Sequence, residues 1–324
     1  MLLPALGIDI AKAKFDVALL QDGQLHRQIF SNRLEDFPQL TQWLNQHGAT
    51  QVHACLEATG AYGDDLALFL NQAGHTISVV NPTCIKAFRQ SELGRTKTDR
   101  TDAALIARYC ESKRPRPWTP PLPEMRELRD LVRRLDSLQQ LHQQEANRLT
   151  DGHPTALVQA SLQAVLNFLE HEAQEIKRLI HEHLQRSPLL RTQRDLIVSI
   201  PGIAELTAAK LLAEFQDIRS YASAREMAAH AGLTPQHKDS GSSVHGKPHL
   251  SKIGSARLRK ALYMPAIVAK QYNPVIKAFC ERLVKRGKKP MAIIGAAMRK
   301  LLHLVYGVLK SNKPFDPEYA RTQP

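Results

Sequence analysis

Residues 5–31 read ALGIDIAKAKFDVALLQDGQLHRQIFS, and this stretch indicates how the N-terminal part of the chain folds. The segments ALGIDIA and KFDVALL are typical of strands, and QLHRQIFS follows the turn residues Asp22 and Gly23. The pattern therefore predicts a three-stranded meander. One residue does not fit a purely structural strand. Asp9 stands among the apolar residues of LGIDIA, where burying a charge without a partner is costly.

Beyond residue 31, segments typical of helices and of strands alternate. LEDFPQLTQWLNQHG and GDDLALFLNQAG each predict an amphipathic helix that ends at a glycine. QVHACLEA and HTISVVN predict strands, and DRTDAALIARYCES predicts a further helix after a linker. Three strands followed by alternating helices and strands predict a mixed sheet flanked by helices, so we interpret residues 1–112 as one α/β domain.

The middle of the chain has the periodicity of long helices. The proline-rich segment KRPRPWTPPLPE cannot be helical throughout. After it, leucines recur every three or four residues from Leu128 to Leu141, and a second apolar-periodic segment begins at Val165. We interpret residues 113–190 as a proline linker and a long antiparallel helical hairpin or coiled coil. A spacer and a dimerisation surface are equally compatible with this pattern.

Residues 191–324 predict a basic, all-α domain. LIVSIPGIAELTAAKLLAEF has the order helix, Pro-Gly turn, helix, which is typical of a helix-hairpin-helix module that contacts phosphate through backbone amides. An ordinary corner between two packed helices gives the same pattern. The polar loop GLTPQHKDSGSSVHGKPHLSKIG follows, and then two or three helices whose apolar stripes predict a packed core with the basic residues facing outward.

Charge is distributed unevenly along the 324 residues, whose net charge is +13. Residues 1–112 contain 10 Lys and Arg against 12 Asp and Glu, a net charge of −2. Residues 247–313 contain 16 Lys and Arg against one acid, Glu281, a net charge of +15. This imbalance favours a polyanionic partner for the C-terminal part, nucleic acid before a membrane surface, although some soluble proteins are merely basic.

The cysteine positions and the hydropathy of the chain indicate its cellular compartment. The four cysteines are scattered and form no CxxC pair, which argues against a zinc site or a disulfide framework and fits a reducing environment. The N-terminus lacks the basic n-region of a signal peptide, and we find no run of about 20 uncharged apolar residues. The sequence therefore predicts a cytoplasmic protein without a membrane span.

Four carboxylates stand out by position. Asp9 lies inside a predicted strand, Glu57 ends another, and Asp99 and Asp102 lie three residues apart, hence on one face, at the start of a predicted helix. Each has a simpler interpretation, such as a turn hydrogen bond, a helix cap or a complement to the helix dipole. Together they are an oxygen-only ligand set of the kind that suits Mg²⁺ or Mn²⁺. Two such ions about 4 Å apart would serve phosphodiester cleavage.

Six stretches, in the same order, resemble the DEDD-type transposases of small bacterial insertion sequences. They are GIDIAKAKFDVALL, LEATGAYG and GRTKTDRTDAALIARYC in the N-terminal part, then SIPGIAELTAAKLLAE, and finally the long stretch from AAHAGLTP to ALYMPA followed by MRKLLHLVYGVLKS. The resemblance implies a RuvC-like, ribonuclease-H-like N-terminal domain. It also implies that Asp9, Glu57, Asp99 and Asp102 are the metal-binding set, with no departure at those positions.

The same resemblance assigns a nucleophilic serine to the polar loop. From composition alone, the loop is more simply a solvated turn, because no group that would activate a serine is evident. The family pattern matches Ser240 best, with Ser242 and Ser243 as the other candidates. It further implies a non-coding guide RNA that pairs with double-stranded DNA at the element ends and target, a dimer or tetramer, and action at the nucleoid. The predicted nucleic-acid contacts are Arg95, Lys97, Lys113, Arg114, Lys238, Lys247, Lys252, Arg257, Arg259 and Lys260.

Other functions remain open at this point. A junction resolvase or hydrolytic nuclease would use the carboxylates alone, with water as the nucleophile. A non-enzymatic architectural protein would use the acids in ion pairs and bind nucleic acid without Mg²⁺. The GIDIAK string also occurs in actin-like sugar kinases, but no phosphate-binding glycine loop follows it here.

Overall fold

The structure is a computed structural model that describes residues 3–58, 61–92, 99–236, 239–240, 244–245 and 249–318. Among these, side chains are described except at 61, 99–101, 219, 239–240 and 244–245. The chain divides into two compact units, Met1–Pro120 and Pro121–Pro324. Each unit has its own buried apolar core.

The first unit is a mixed sheet covered by helices. Its elements, in chain order, are β1 (Ala5–Ile10), β2 (Lys14–Gln21), β3 (Gln24–Ser31), α1 (Phe37–Gln46), β4 (His53–Glu57), α2 (Asp64–Gln72), β5 (Thr76–Val80), α3 (Pro82–Ser91) and α4 (Asp99–Lys113). Short 3-10 turns, Leu34–Asp36 and Ala61–Gly63, precede α1 and α2.

The strand order is β3-β2-β1-β4-β5, with β1, β2 and β3 antiparallel and β4 and β5 parallel to β1. The predicted meander and mixed sheet are confirmed. Asp22 and Gly23 both have positive φ, 49° and 77°, as a two-residue hairpin turn with the right twist requires.

Because side chains alternate along the strands, each face of the sheet has its own apolar core. One face of the sheet packs with α1 and α2 around Leu6, Ile8 and Phe15. The other packs with α3 and α4 around small residues such as Ala5, Ala18 and Cys55. Small residues on that face allow α4 to approach the sheet closely, which brings its first turn near the strand ends.

The segment between β5 and the Asp99/Asp102 helix differs from its prediction as a linker, because residues 82–91 form α3. Its start has two standard helix signals. The Asn81 side chain accepts a hydrogen bond from the Thr83 amide at 2.8 Å, and Pro82 occupies the first helical turn. The proline-rich segment that follows α4 also packs on the first unit, since the Trp118 amide donates to the Ile77 carbonyl at 2.6 Å.

The second unit is mostly helical. Its elements are α5 (Pro123–Asp151), α6 (Ala156–Arg186), α7 (Pro188–Val198), α8 (Glu205–Phe215), α9 (Ala224–His230), β6 (Pro235–Gln236), β7 (Asp239–Ser240), β8 (Val244–His245), β9 (His249–Leu250), α10 (Ala256–Tyr272), α11 (Pro274–Lys285) and α12 (Pro290–Ser311).

Helices α5 and α6 form the predicted hairpin and run antiparallel. His183, near the end of α6, donates from Nε2 to the Glu124 carbonyl at the start of α5, at 2.7 Å. Leu128 and Leu135 are buried with Ile180 in the core of the second unit. The base of the hairpin is therefore part of that unit's core, because its apolar stripe continues into the helices that follow.

The Pro-Gly turn between α7 and α8 packs against α10. Gly202 has a φ of 105°, and a Cβ at this position would lie 2.7 Å from the Ala269 Cβ. Asn273 donates from Nδ2 to the Pro201 carbonyl at 3.3 Å. These contacts are those of a packing corner between helices, and they explain the glycine without a bound phosphate.

Helix α12 is long and apolar enough to cross a membrane by length and composition alone. In the structure, Leu301, Leu302 and Val305 are fully buried in the core of the second unit. The helix contacts α7, α9, α10 and α11. The buried face of the helix is therefore accounted for by packing within the second unit.

Candidate active site

Asp9 and Glu57 lie side by side at the carboxyl ends of two parallel strands. Ile8 pairs with Leu56 in the β1–β4 ladder. The next residues of the two strands, Asp9 and Glu57, are therefore neighbours. Adjacent strands are about 4.8 Å apart. Gly7 and Cys55, which lie two residues before Asp9 and Glu57, pack toward α4. Because side chains alternate along a strand, the two carboxylates lie on the same face of the sheet as α4.

A third carboxylate, absent from the predicted set, extends this arrangement. Asp16 on β2 is the antiparallel partner of Asp9, so both side chains leave the same face. It is 6% exposed, and its Oδ2 lies 3.4 Å from the Lys14 Nζ. We refer to Asp16, Asp9 and Glu57 as the acidic row. The signal that identifies Asp16 in the sequence is an acid inside the apolar strand KFDVALL, the same signal as for Asp9.

Helix α4 is the fourth element that reaches this edge of the sheet. Its Ala103 carbonyl lies against Gly7 on β1, and the Cys110 Sγ donates to the His53 carbonyl, at the start of β4, at 3.2 Å. The helix therefore runs opposite to β4, and its first turn, with Asp102, lies toward the carboxyl ends of the strands. Asp99 is the first residue of the helix; its side chain lies outside those described.

Asp102 is held by an arginine from α3. The Arg89 Nη2 donates to the Asp102 Oδ1 at 2.6 Å, and the two side chains are 22% and 17% exposed. Such a charge-assisted bond fixes the orientation of the carboxylate. Among the described side chains, no three His, Cys, Asp or Glu residues are close enough to hold a metal ion together.

The residues at the edge fit a hard divalent cation in type and in backbone placement. Carboxylate oxygens are the ligands that Mg²⁺ and Mn²⁺ prefer, and like charges in a row are costly unless something neutralises them. Cys55, two residues before Glu57, is fully buried on the same face. Its hydrogen bond with Cys110, together with burial, raises the pKa of the Cys55 thiol far above its usual range.

The predicted nucleic-acid contacts that the structure describes differ in environment. Lys113, Lys252, Arg257 and Lys260 are exposed, and the last two line an open groove of about 180 Å³ between α5, α8 and α10. Arg259 is half-buried, and its Nη1 donates to the Ala231 carbonyl at 3.2 Å.

Arg259 therefore braces a turn of the second unit. Arg114 likewise donates to the backbone, from Nε to the Glu111 carbonyl at 3.2 Å. Arg95, Lys97, Lys238 and Lys247 lie outside the described residues.

Ser240 lies in a short two-stranded ladder formed by β7 and β8. Strands β6 and β9 pair in a separate short ladder. Ser240 pairs with Val244, so residues 241–243 connect the two strands. The Ser240 side chain is outside those described, as are Ser242 and Ser243 altogether.

Residues from both units match models of transposase families. Residues 6–153 match the model of the DEDD transposases of the IS110 type, and residues 194–281 match the "Transposase IS116/IS110/IS902 family". The chain is also 34% identical to the pilin gene-inverting protein of Moraxella lacunata over 96% of this chain and 97% of that protein. The chain belongs to the IS110/IS116 transposase family. It is accordingly a DNA recombinase or transposase, which confirms the enzyme class predicted from the sequence.

Two further relatives cover most of this family member. The pilin gene-inverting protein of Moraxella bovis is 34% identical over 96% of the chain. The transposase of the insertion sequence element IS1328 of Yersinia enterocolitica is 26% identical over 82% of the chain and 84% of its own length. The likeness thus includes the carboxyl edge of the sheet, the hairpin and the helical second unit.

Proposed function

We propose that this transposase cuts and rejoins DNA with two sets of residues: a RuvC-like carboxylate site that holds Mg²⁺ or Mn²⁺, and Ser240 as the nucleophile. The observation that carries the proposal is the placement of Asp9 and Glu57 on adjacent strand ends, with the first turn of α4 toward the same edge. Asp99 and Asp102 complete the set. The cation would polarise the scissile phosphate and stabilise charge on its oxygens.

The covalent step is a phosphoryl transfer to serine. The Ser240 Oγ loses its proton and bonds to the DNA phosphorus, while the bond to the bridging oxygen of the departing strand breaks and that oxygen takes up a proton. The reverse reaction with a different strand end restores the serine and conserves the phosphodiester, so that no external energy source is needed. A hydrolytic, RuvC-like nuclease is the second candidate; it would use only the carboxylate site of Asp9, Glu57, Asp99 and Asp102, with water as the nucleophile.

Inversion and transposition require the same chemistry. The relatives from Moraxella are named for inverting a pilin gene, and the one from Yersinia is named a transposase. Whether a segment is inverted or moved depends on where the paired sites lie. We propose that a guide RNA from the element selects those sites by base pairing, and that at least two protomers act together because two strands must be exchanged. The reaction would take place in the cytoplasm, at the nucleoid.

The exposed basic residues of the second unit are proposed to hold the DNA backbone. Lys285, Arg286, Lys288 and Lys289 are all exposed where α11 ends and α12 begins. Replacing Lys288 and Lys289 together by Gln is expected to reduce the slope of log K against log salt by about two, because each phosphate contact contributes about 0.9. Filter binding of duplex DNA between low and physiological salt measures the slope. Gln at both Arg27 and Lys86, which are exposed on the first unit, is the matched control and should leave the slope unchanged.

The serine assignment is tested by covalent trapping. Labelled element-end DNA is incubated with Mg²⁺, with and without RNA transcribed from the element's flanks, and run on a denaturing gel. Wild type is expected to give a protein–DNA adduct, and Ser240→Ala is expected to give none, because the attacking oxygen is removed. Ser242→Ala and Ser243→Ala, in the same loop, are the controls and should retain the adduct.

Three outcomes separate the alternatives. Mg²⁺-dependent cleavage that survives Ser240→Ala without any adduct would establish the hydrolytic nuclease. An adduct lost only in Ser242→Ala or Ser243→Ala would move the nucleophile to that position. Equal adduct formation with and without the RNA would remove the guide RNA from the proposal.

A further inference from the structure

An exposed tyrosine lies at the same edge of the sheet as the acidic row. Tyr62 is 55% exposed, and in the described part of the first unit it is the one large aromatic side chain that is exposed to this extent. It belongs to the 3-10 turn Ala61–Gly63, between β4 and α2. The turn begins a few residues after Glu57, so it lies beyond the carboxyl end of β4.

The turn is fitted closely to the strand ends. A Cβ at Gly63 would lie 2.9 Å from the Ile10 Cδ1 and 3.0 Å from the Leu56 Cδ1. Ile10 follows Asp9, and Leu56 precedes Glu57. Ile10 and Leu56 point to the α1/α2 face, so the turn packs on that face at the carboxyl ends of β1 and β4, and the Tyr62 side chain is exposed there.

A single side chain braces this turn against β1. The Asn32 Nδ2 donates to the Tyr62 carbonyl at 3.1 Å and to the Ala11 carbonyl at 3.0 Å. Ala11 is two residues beyond Asp9. The brace thus links the loop after Asp9 to the loop after Glu57, and it fixes the backbone of Tyr62 before any ligand binds.

The chemistry of this turn suits a nucleobase better than a phosphate. Residues 61–65 read AYGDD, so the turn and the start of α2 offer no basic side chain to attract a phosphate. A neutral, exposed aromatic ring offers a π face, and every base can stack on such a face regardless of sequence. The turn and the acidic row share the carboxyl edge of the sheet, so a strand bound with one phosphate at the row has its neighbouring nucleotides within this part of the surface.

We propose that Tyr62 is a stacking platform for a nucleobase next to the scissile phosphate, with Asn32 as its positioning residue. This inference rests on the proposed function, because the acidic row defines where the scissile phosphate lies. It assigns to the LEATGAYG stretch a nucleic-acid contact in addition to its carboxylate. The stacked base is unpaired, since a base inside a duplex presents no free face.

The test is a binding measurement that needs no cleavage. The probe is a mixed-sequence 12-nucleotide single strand with one 2-aminopurine, whose fluorescence falls on stacking. All variants are made in full-length Asp102→Asn protein, so that the strand stays intact. Tyr62→Ala is expected to bind about tenfold more weakly and to lose the quenching. Tyr62→Phe should retain both, because stacking needs the ring and not the hydroxyl.

Two further variants make the result specific. Asn32→Ala is expected to reduce the quenching while Tyr62 is still present, because the turn is no longer braced. Ile29→Ala, an exposed side chain on β3 of the same sheet, is the matched control and should change neither value. Wild-type affinity in Tyr62→Ala would overturn the inference, as would a loss in Tyr62→Phe equal to that in Tyr62→Ala.

The outcome is independent of the proposed reaction. If the single substitutions alter binding and quenching as expected but the protein never cleaves DNA, only the proposed function fails. If the wild type cleaves and forms the adduct while Tyr62→Ala binds normally, only the stacking platform fails. Thermal melts of Tyr62→Ala and Asn32→Ala verify that the variants compared are folded.

Discussion

Asp9→Asn is expected to lower the rate of DNA strand cleavage by about 10³-fold or more while the protein remains folded. The amide has nearly the same shape as the carboxylate, but it is neutral and one of its two acceptor oxygens is replaced by a donor. A divalent cation at this edge would lose a charged ligand, and stabilisation of a transition-state charge by such an ion amounts to several kcal/mol, about tenfold in rate for each 1.4 kcal/mol. Nicking of element-end DNA in Mg²⁺ measures the rate.

The same substitution is expected to leave stability nearly unchanged. In metal-free buffer, Asp9 lies between two carboxylates of the acidic row, and Asp16 is its direct cross-strand partner. Asparagine keeps the shape of the side chain and removes a cross-strand like-charge repulsion of only a few tenths of a kcal/mol, so the free energy of unfolding should change little. A thermal melt in EDTA measures this effect.

Glu111→Gln is the matched control for Asp9→Asn. Glu111 is exposed on α4, near the opposite end of that helix from Asp102. Its substitution should leave the cleavage rate unchanged. Cleavage by Asp9→Asn at the wild-type rate would show that the acidic row is not the catalytic site, and a melt well below that of wild type would show that Asp9 has a structural role instead.

Gly7→Ala is expected to destabilise the first unit by about 3 kcal/mol or more. A Cβ on Gly7 would lie 2.1 Å from the Ala103 carbonyl oxygen and 2.3 Å from the Ala107 nitrogen. Both atoms belong to the backbone of α4, so no side-chain rotation can relieve the clash. Overpacking by even one methyl group costs about 1–3 kcal/mol in a dense core, and here the whole helix must move away from the sheet.

The consequence for function follows from the position of the clash. Ala103 adjoins Asp102, so a displaced α4 also carries that carboxylate away from Asp9 and Glu57. Gly7→Ala is therefore expected to lose cleavage activity even below its unfolding temperature. Activity at the wild-type level in a folded Gly7→Ala protein would contradict the close approach of α4 to β1.

Tryptophan fluorescence isolates this effect, because both tryptophans of the chain, Trp43 and Trp118, belong to the first unit. The urea midpoint from fluorescence should fall in Gly7→Ala. Gly307→Ala is the contrasting control. Gly307 is exposed in the interior of α12, and nothing lies within 4 Å of the position that a Cβ would take there. Alanine is therefore expected to stabilise that helix by about 0.5–1 kcal/mol.

The sequence predicts local structure well in this protein because the signals are local. Strand alternation, glycines at helix ends and the turn residues Asp22 and Gly23 were sufficient for the meander and most helices of the first unit. The exception is α3, because the pattern over residues 82–91 predicts a linker. Its helix signals, Asn81 and Pro82, are short, and a ten-residue helix with a single fully buried residue, Ile85, has a weak periodic pattern.

The sequence likewise predicts only part of the candidate site. That Asp9 and Glu57 each end or interrupt an apolar strand is visible in the sequence, and parallel strands bring such ends to one edge. That Asp16 joins them depends on the register of the hairpin, and a shift of one residue would turn it to the other face. Arg89 and Asp102 are brought together by the packing of α3 on α4, which no local pattern specifies.

By itself, the sequence determined most of the elements and the acidic and basic parts of the chain, because propensity, charge and periodicity are properties of neighbouring residues. Only the tertiary structure decided which carboxylates share a face, which way α4 crosses the sheet, and that Arg259 braces a turn. Those features arise from contacts between residues distant in the chain. Their energies depend on close packing and on hydrogen-bond geometry, and neither exists until the chain has folded.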